Sequence, residues 1–315
     1  MFAIVGSCIS TFAVLIGSGA ADASTNAGAL SATLTKWRFP APVYRTVAVV
    51  HSGRIFVLGG HDSAGNTITA VYSLNPRTGR TEVAGSLALA THGSAAAVVG
   101  GRILVFGGAS ATVHNTVQMF NPASRTSTIV GHIPSVLADT TAATVGKQTV
   151  LVGGFNGYGP QSDVWATTNG VSFALIAHLP QPVRYPAVAV KGSNVYVFGG
   201  LITGGEYSGT FTNDVQQVDV RTGTARVVGH LPMPLAHAMG AEMAGRLFVM
   251  GGSTGTETSK EILAFDPARG DTSQVGTLPM PITDAAVATI GRTTYLLGGV
   301  SGATLASVTV VQLHV

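Results

Sequence analysis

The chain has 315 residues, of which 46% are hydrophobic and only 10% are charged, and it contains 41 glycines and 14 prolines. Globular proteins usually have about 25% charged residues, so this is a weakly charged chain in which turns must be frequent. The net charge is +3, but the 17 Lys and Arg residues are scattered singly. Because no basic run could follow a phosphate backbone, we expect no nucleic-acid partner.

The first 23 residues resemble a secretory signal. They are apolar from Phe2 to Ile16, then small and polar, and Ala21-Asp22-Ala23 fits a small-x-small cleavage site. However, no Lys or Arg precedes Lys36. An uncleaved membrane anchor formed by residues 2–21 is therefore an alternative, since about 20 residues can span a bilayer, and an ordinary buried segment is a third. Signal and anchor both predict an extracytoplasmic location: secreted, periplasmic or cell-surface.

The single cysteine, Cys8, lies inside this leader. The rest of the chain therefore has no disulfide, no thiol nucleophile and no cysteine-based zinc site. We assign residues 24–31 to a linker and residues 32–315 to one domain.

The domain contains a repeat, in which an apolar strand ends in a Gly-Gly pair six times. The pairs begin at Gly59, Gly107, Gly153, Gly199, Gly251 and Gly298. The intervals between them are 48, 46, 46, 52 and 47 residues. A regular period of this length is typical of solenoids and propellers.

Each period predicts four strands in the same order. A strand of small residues is followed by a Gly turn, the apolar Gly-Gly strand, a polar loop, an alternating third strand and a fourth strand ending near a proline. Four antiparallel strands in each of six periods indicate an all-β, six-bladed β-propeller. The last period has only three strands, whereas "ATLTKWRFP", residues 32–40, matches the missing fourth. We therefore expect this N-terminal strand, with Trp37, to close blade six.

The six Gly-Gly strand ends and the proline-terminated fourth strands resemble the kelch family of β-propellers over residues 32–315. Trp37 matches the family's fourth-strand Trp, whereas Trp165 in "SDVWA" falls in a third strand. The resemblance implies a non-catalytic domain that recognises a protein, glycan or cell-envelope ligand with the loops of one face. We expect such a domain to be a monomer without a cofactor.

Candidate ligand-binding residues follow from the register of the repeat. Counting five residues past each strand-ending proline, with Leu87 as its equivalent in the second repeat, selects one polar residue per blade at one mouth of the central channel. These residues are Arg45, His92, Asp139, Tyr185, His237 and Asp284. Neighbouring residues predicted on the same face are Tyr44, His61, Asp62, His114, Asn156, Tyr158, Arg184, Glu206 and Tyr207.

Two other interpretations of these polar residues are open. Polar side chains at strand entries often satisfy the backbone groups of a neighbouring blade, which would make the ring structural. The His and Asp members are also ligand types for zinc or iron, but no local histidine motif supports a metal and we predict none. A further set occupies equivalent rim positions and is expected to be structural: His132, His178 and His230.

An enzyme is the alternative function. Galactose oxidases, which resemble kelch propellers, need a copper centre with a Tyr cross-linked to Cys, and no Cys follows Cys8. Bacterial sialic-acid mutarotases are secreted six-bladed kelch proteins to which this chain is similar in size and compartment. That resemblance implies a carbohydrate isomerase with an acid and a base at an anomeric centre and arginines for a carboxylate, but it assigns no catalytic residue. A third hypothesis is a sensor or adaptor tethered by residues 2–21.

Overall fold

The structure is a computed structural model that describes residues 30–205, 209–301 and 307–315. The predicted leader, residues 1–23, and the predicted linker as far as residue 29 lie outside the described residues. Within the described residues, no helix is long and apolar enough to cross a membrane.

Six four-stranded antiparallel sheets form the blades of a propeller. The first strand, β1 (Ser31–Val43), belongs to the last blade. Blade one contains β2 (Val47–His51), β3 (Arg54–Leu58), β4 (Ala70–Leu74) and β5 (Thr81–Ser86). Blade two contains β6 (Ala95–Val99), β7 (Arg102–Ala109), β8 (Val113–Asn121) and β9 (Thr126–His132). Blade three contains β10 (Thr141–Val145), β11 (Gln148–Val152), β12 (Gln161–Thr167) and β13 (Ala174–Val183).

The remaining blades follow the same order, with one extra hairpin in blade four. That blade contains β14 (Ala187–Lys191), β15 (Asn194–Phe198), β18 (Asp214–Asp219) and β19 (Thr224–His230), and its hairpin is β16 (Leu201–Thr203) with β17 (Thr210–Phe211). Blade five contains β20 (Met239–Met243), β21 (Arg246–Met250), β22 (Glu261–Asp266) and β23 (Asp271–Thr277). Blade six contains β24 (Ala286–Ile290), β25 (Thr293–Leu297), β26 (Ser307–His314) and β1.

The core lies between successive blades. The second strand of each blade is an almost continuous apolar run, as in β3, where Ile55 to Leu58 are all buried. Such runs fit a strand that is covered on both faces. Between blades one and two, for example, the Phe56 and Phe120 rings lie 6.0 Å apart. Each blade thus buries one sheet face against each of its neighbours.

The N-terminal strand closes the ring, as predicted. Strand β1 pairs antiparallel with β26, with Ser31 opposite His314 and Leu34 opposite Val311. Trp37 stacks on Tyr295 within blade six at a centroid distance of 6.2 Å. The buried Phe39 contacts Tyr72 of blade one at 5.8 Å, so β1 also joins the last blade to the first.

The strand order gives the propeller two different faces. The turns between first and second strands and between third and fourth strands lie on one side, here called the turn face. The entries to the first strands and the connections after each Gly-Gly pair lie on the other side, here called the loop face. Strand β1 begins at the turn face, because Ser31 pairs with His314 and His314 pairs with Thr293 next to a turn.

Replacing Phe39, the buried residue of the closing strand β1, should destabilise the whole domain. Phe39 is 3% exposed, so we expect Phe39→Ala to lower the free energy of unfolding by about 3–5 kcal/mol. Leu34→Ala in the same strand is the control, because Leu34 is 44% exposed and its loss should cost less than about 1 kcal/mol. Urea unfolding followed by circular dichroism measures both, and equal losses would contradict the closing role of β1.

Candidate functional site

In each blade, the residue two positions before the first, innermost strand has a left-handed backbone. In five blades it is not glycine, and φ lies between 50° and 57° at Arg45, Asp139, Tyr185, His237 and Asp284. In blade two the equivalent residue is Gly93, with φ at 57°. L-residues rarely adopt this conformation because it crowds the Cβ atom, so an interaction must hold the chain there.

That interaction is a closed circle of backbone hydrogen bonds around the channel. The amide of each of these residues donates to the carbonyl of its counterpart in the preceding blade, at 2.5–3.1 Å. The donor and acceptor pairs are Arg45 to Asp284, Gly93 to Arg45, Asp139 to Gly93, Tyr185 to Asp139, His237 to Tyr185 and Asp284 to His237. The circle includes all six blades and fixes the positions of the five side chains at the mouth.

Five of the six residues predicted for the mouth lie on this circle, but the prediction for His92 is one residue out of register. Leu87, taken as the equivalent of a strand-ending proline, is buried like Ile133, which precedes Pro134. Ala88 therefore occupies the proline position, and counting from it reaches Gly93. His92 instead pairs with Ala109, just as Tyr44 pairs with His61 in blade one.

Two arginines, an aspartate and a tyrosine form a buried network at the mouth. Arg45 contacts Asp139 Oδ1 at 2.6 Å, and Arg184 contacts Asp139 Oδ2 at 2.8 Å. Both guanidinium groups donate to the Tyr185 hydroxyl at 2.6 Å. The Arg45 and Asp139 side chains are only 9% and 3% exposed. Charge-assisted bonds of this kind are short and strongly directional.

A second pair completes the mouth. His237 Nδ1 donates to Asp284 Oδ1 at 2.7 Å, and both side chains are buried. The His237 ring stacks on Tyr185 with centroids 3.9 Å apart. Tyr185 therefore connects the arginine network to the imidazole–carboxylate pair, through its hydroxyl on one side and its ring on the other.

Phe155 is a part of this site that the sequence did not reveal. Its ring lies 4.2 Å from the guanidinium carbon of Arg184, and this cation–π contact holds the arginine over Asp139. A phenylalanine directly after a Gly-Gly pair carries no signal of its own. Only its cross-strand pairing with Ala138, next to Asp139, places it at the mouth.

The five side chains lie at one end of a cavity of about 290 Å³ in the central channel. The wall of this cavity is built from the second residue of each innermost strand. These residues are Ala48, Ala96, Ala142, Val188, Gly240 and Val287. The cavity therefore combines a polar end, rich in hydrogen-bonding groups, with a wall in which these small apolar residues stand beside hydroxyl groups such as those of Thr46, Ser94 and Thr140.

Three of the remaining predicted residues form a histidine cluster beside Arg45. The His61 and His92 rings lie 4.0 Å apart, and His92 Nδ1 is 2.9 Å from the Thr67 hydroxyl. Burial, together with the positive charges of Arg45, His61 and His114, lowers the pKa of His92 from 6.5 to about 3. Burial also lowers the pKa of His114. His92 and His114 are therefore neutral at physiological pH.

The other predicted neighbours are spread over the loop face. The Tyr44 ring contacts His61 at 5.1 Å, whereas Tyr158 is 96% exposed at a loop tip. Asp62 and Asn156 accept hydrogen bonds from the amides of their own loops. Glu206 and Tyr207 lie outside the described residues.

The rim histidines lie away from this network. His178 and His230 each contact an aspartate of the adjacent strand at 3.0 Å, Asp163 and Asp214 respectively. Within the described ranges, no group of three or more His, Cys, Asp or Glu side chains is placed to hold a metal ion.

The position of the Asp139 carboxylate predicts that a side chain at Gly93 is costly. A Cβ at Gly93 would collide with Asp139 Oδ1, which Arg45 holds in place. Gly100 has the same φ, at 56°, but open space around it. We expect Gly100→Ala to cost about 1–2 kcal/mol of unfolding free energy and Gly93→Ala a further 1–3 kcal/mol or so from the collision. Equal losses in thermal unfolding would show that Asp139 does not constrain this position.

The low pKa of His92 predicts a loss of stability in acid. The unfolded chain takes up a proton near pH 6.5, whereas the folded chain keeps His92 neutral down to about 3. The unfolded state therefore binds more protons in this window, and the free energy of unfolding falls as the pH falls. We expect His92→Gln to reduce this slope between pH 6.5 and 3, and the exposed His132→Gln to leave it unchanged. Melting temperatures measured across the window test this, and parallel profiles for all three proteins would contradict it.

Comparisons with known proteins agree with the architecture. The family model described as "KLHDC2/KLHL20/DRC7 Kelch-repeats domain" matches residues 23–200, more than half of the chain. No curated protein matches the chain in sequence. The solved structure titled "Structure of YjhT" superposes with a TM-score of 0.76 at 15% identity, covering 88% of this chain and 96% of that one, which shows a shared fold. Six four-stranded blades, Gly-Gly strand ends and the family match together show that this chain belongs to the kelch-repeat family.

Proposed function

We propose that this chain is an exported kelch-repeat binding domain that holds a small, oxygen-rich ligand, a sugar or sugar acid, at the loop-face mouth of its channel. One observation carries the proposal. Side chains from five different blades, Arg45, Asp139, Tyr185, His237 and Asp284, meet at one end of a single cavity. A concave site with a few converging polar groups is the usual form of a ligand pocket.

The size and chemistry of the cavity favour a small polar ligand. Its volume of about 290 Å³ is near the lower end of ligand pockets. Guanidinium groups donate several hydrogen bonds, carboxylates accept them, and Tyr185 and His237 present aromatic rings beside them. A ligand with many hydroxyl or carboxylate oxygens can use all of these groups at once.

The site is also held rigid before any ligand arrives. The backbone circle fixes the backbone position of each mouth residue. The arginine network and the Tyr185–His237 stack then fix the orientation of their side chains. Binding to such a site orders few additional groups, so little conformational entropy is lost. This rigidity supports recognition of one ligand shape.

Kelch propellers commonly bind proteins, and a protein partner is the main competing candidate. The loop face offers the 96% exposed Tyr158 to such a partner. The mouth residues favour a smaller ligand, because their side chains are buried from the outer surface yet line the internal cavity. The predicted leader supports export of the domain.

Isomerisation of a bound sugar is the second candidate function. His237 and Asp284 form an imidazole–carboxylate pair at 2.7 Å, an arrangement that can move a proton to and from a ligand oxygen. A catalyst would accelerate anomer exchange of its ligand, measurable by NMR, whereas a binding domain would leave the exchange rate unchanged. This readout separates the two functions once a ligand is in hand.

The proposal predicts a ligand whose binding depends on one hydroxyl group. The full chain is screened by thermal shift against neutral sugars, sugar acids and short cell-wall fragments. A true ligand at about 100 times its Kd should stabilise the fold by about 2.7 kcal/mol. We expect Tyr185→Phe to weaken that stabilisation, because the change removes the hydroxyl that contacts Arg45 and Arg184 but keeps the ring on His237.

Tyr196→Phe is the matched control. Tyr196 is also buried, and its hydroxyl accepts a hydrogen bond from Gln217 away from the mouth. Its removal should leave the ligand-induced shift unchanged. A screen in which no sugar shifts the melting temperature would overturn the proposal, and so would a shift that Tyr185→Phe and Tyr196→Phe weaken equally.

A further inference from the structure

The turn face gathers most of the basic residues of the chain. Among the described residues, twelve Lys and Arg side chains lie in its turns or within the three strand residues next to them. They are Arg54, Arg77, Arg80, Arg102, Arg125, Lys147, Lys191, Arg221, Arg226, Arg246, Arg269 and Arg292. All of them are exposed or half-buried.

Acidic residues do not follow the same distribution. By the same criterion, five lie on the turn face: Glu82, Asp219, Glu242, Asp266 and Asp271. Twelve basic against five acidic residues give the described turn face a net charge of +7. The described loop face has three basic residues, Arg45, Arg184 and Lys260. Its seven acidic residues, which bring it to −4, are Asp62, Asp139, Asp163, Asp214, Glu257, Glu261 and Asp284.

The basic residues nearest the channel form a regular ring. One of them lies in, or directly beside, each turn between a first and a second strand, so every blade contributes one cation around the turn-face mouth. The six are Arg54, Arg102, Lys147, Lys191, Arg246 and Arg292. Between blades four and five, a groove of about 520 Å³ is lined by Lys191, Arg246 and Arg269, together with Asp266 and Asp271.

The N-terminal segment enters the propeller from this same face. Strand β1 begins at Ser31, beside His314 and Thr293 at a turn of blade six. The apolar stretch from Phe2 to Ile16 is separated from the described structure by residues 17–29. Thirteen residues can span up to about 45 Å, so that stretch can reach a layer lying under the turn face.

We propose that the turn face docks on an anionic lipid bilayer into which the apolar N-terminal stretch inserts. Stable attachment to a membrane commonly combines an apolar anchor with a basic patch, and here both lie on one side of the domain. Anionic lipid attracts Lys and Arg near its surface, while the acidic loop face is repelled. The six cations lie around one end of the channel, where Arg54 is also paired with Glu82 at 2.6 Å, and a nucleic acid would leave the apolar stretch without a role.

This orientation has a consequence for the channel. With the turn face on lipid, the loop-face mouth with Arg45, Tyr185 and His237 opens away from the membrane. The charge distribution and the position of Ser31 carry this inference by themselves. It therefore does not depend on what the loop-face mouth binds.

The experiment compares flotation of the full chain with vesicles of phosphatidylcholine alone and of phosphatidylcholine mixed with phosphatidylglycerol. The N-terminal stretch contributes to both, so the ratio of the two affinities isolates the effect of lipid charge. The triple change Lys147→Gln, Lys191→Gln and Arg221→Gln removes three turn-face cations. The triple change Lys36→Gln, Arg38→Gln and Lys260→Gln removes as much charge elsewhere.

We expect the parent to prefer anionic vesicles, and the turn-face variant to lose about 100-fold of this preference, while the control variant loses much less. Raised salt should weaken the preference of the parent. The proposal is overturned if the parent shows no preference or if the two variants lose it equally. Competition by double-stranded DNA at concentrations below those of lipid would also overturn it, in favour of an anionic polymer.

Discussion

The closed circle of six backbone hydrogen bonds at the channel mouth is the constraint on which the site depends. It closes only if every blade presents one amide and one carbonyl at the same level, and this requires a left-handed residue in each blade. A non-glycine residue in that conformation costs about 1–2 kcal/mol. A broken circle would leave buried amides without hydrogen-bond partners. The left-handed conformation is therefore kept despite its cost. The same geometry gathers the side chains of Arg45, Asp139, Tyr185, His237 and Asp284 at the mouth, so the element that closes the ring also positions the candidate site.

Much of this architecture could be predicted from the sequence, because a repeat exposes its own register. Six Gly-Gly strand ends at nearly equal intervals predict the blades, and a final period lacking one strand predicts closure by residues 32–40. The site was harder to predict, and His92 shows why. Leu87 and Ala88 are both apolar, and only burial shows that Leu87 is the inward residue and Ala88 the counterpart of Pro134. An error of one residue in register replaced Gly93 by its neighbour.

The contacts between side chains of neighbouring blades at the mouth cannot be predicted from the repeat register, for a different reason. Arg184 meets Asp139 from the adjacent blade, and Phe155 meets Arg184 across the same gap between blades. The repeat predicts which residues share a level, but the direction of a long side chain depends on its neighbours. From sequence alone, a phenylalanine after a Gly-Gly pair is expected to be a core residue. Its cation–π contact with an arginine can be recognised only when the side-chain rotamers of both residues are known.

The distribution of charge illustrates how folding changes what a sequence pattern means. Along the chain the basic residues stand singly, and the lack of a basic run argues against a protein that follows one phosphate backbone. In the propeller, positions about 50 residues apart become neighbours around a circle, and the turn between the first two strands of each blade brings its cation to the same end of the channel. In the membrane orientation proposed above, a layer of anionic headgroups would face all six of these cations, whereas a single strand would pass beneath only a few. In a repeat protein, the charge pattern that a partner meets is therefore formed by equivalent positions of successive repeats, not by residues that are adjacent in the sequence.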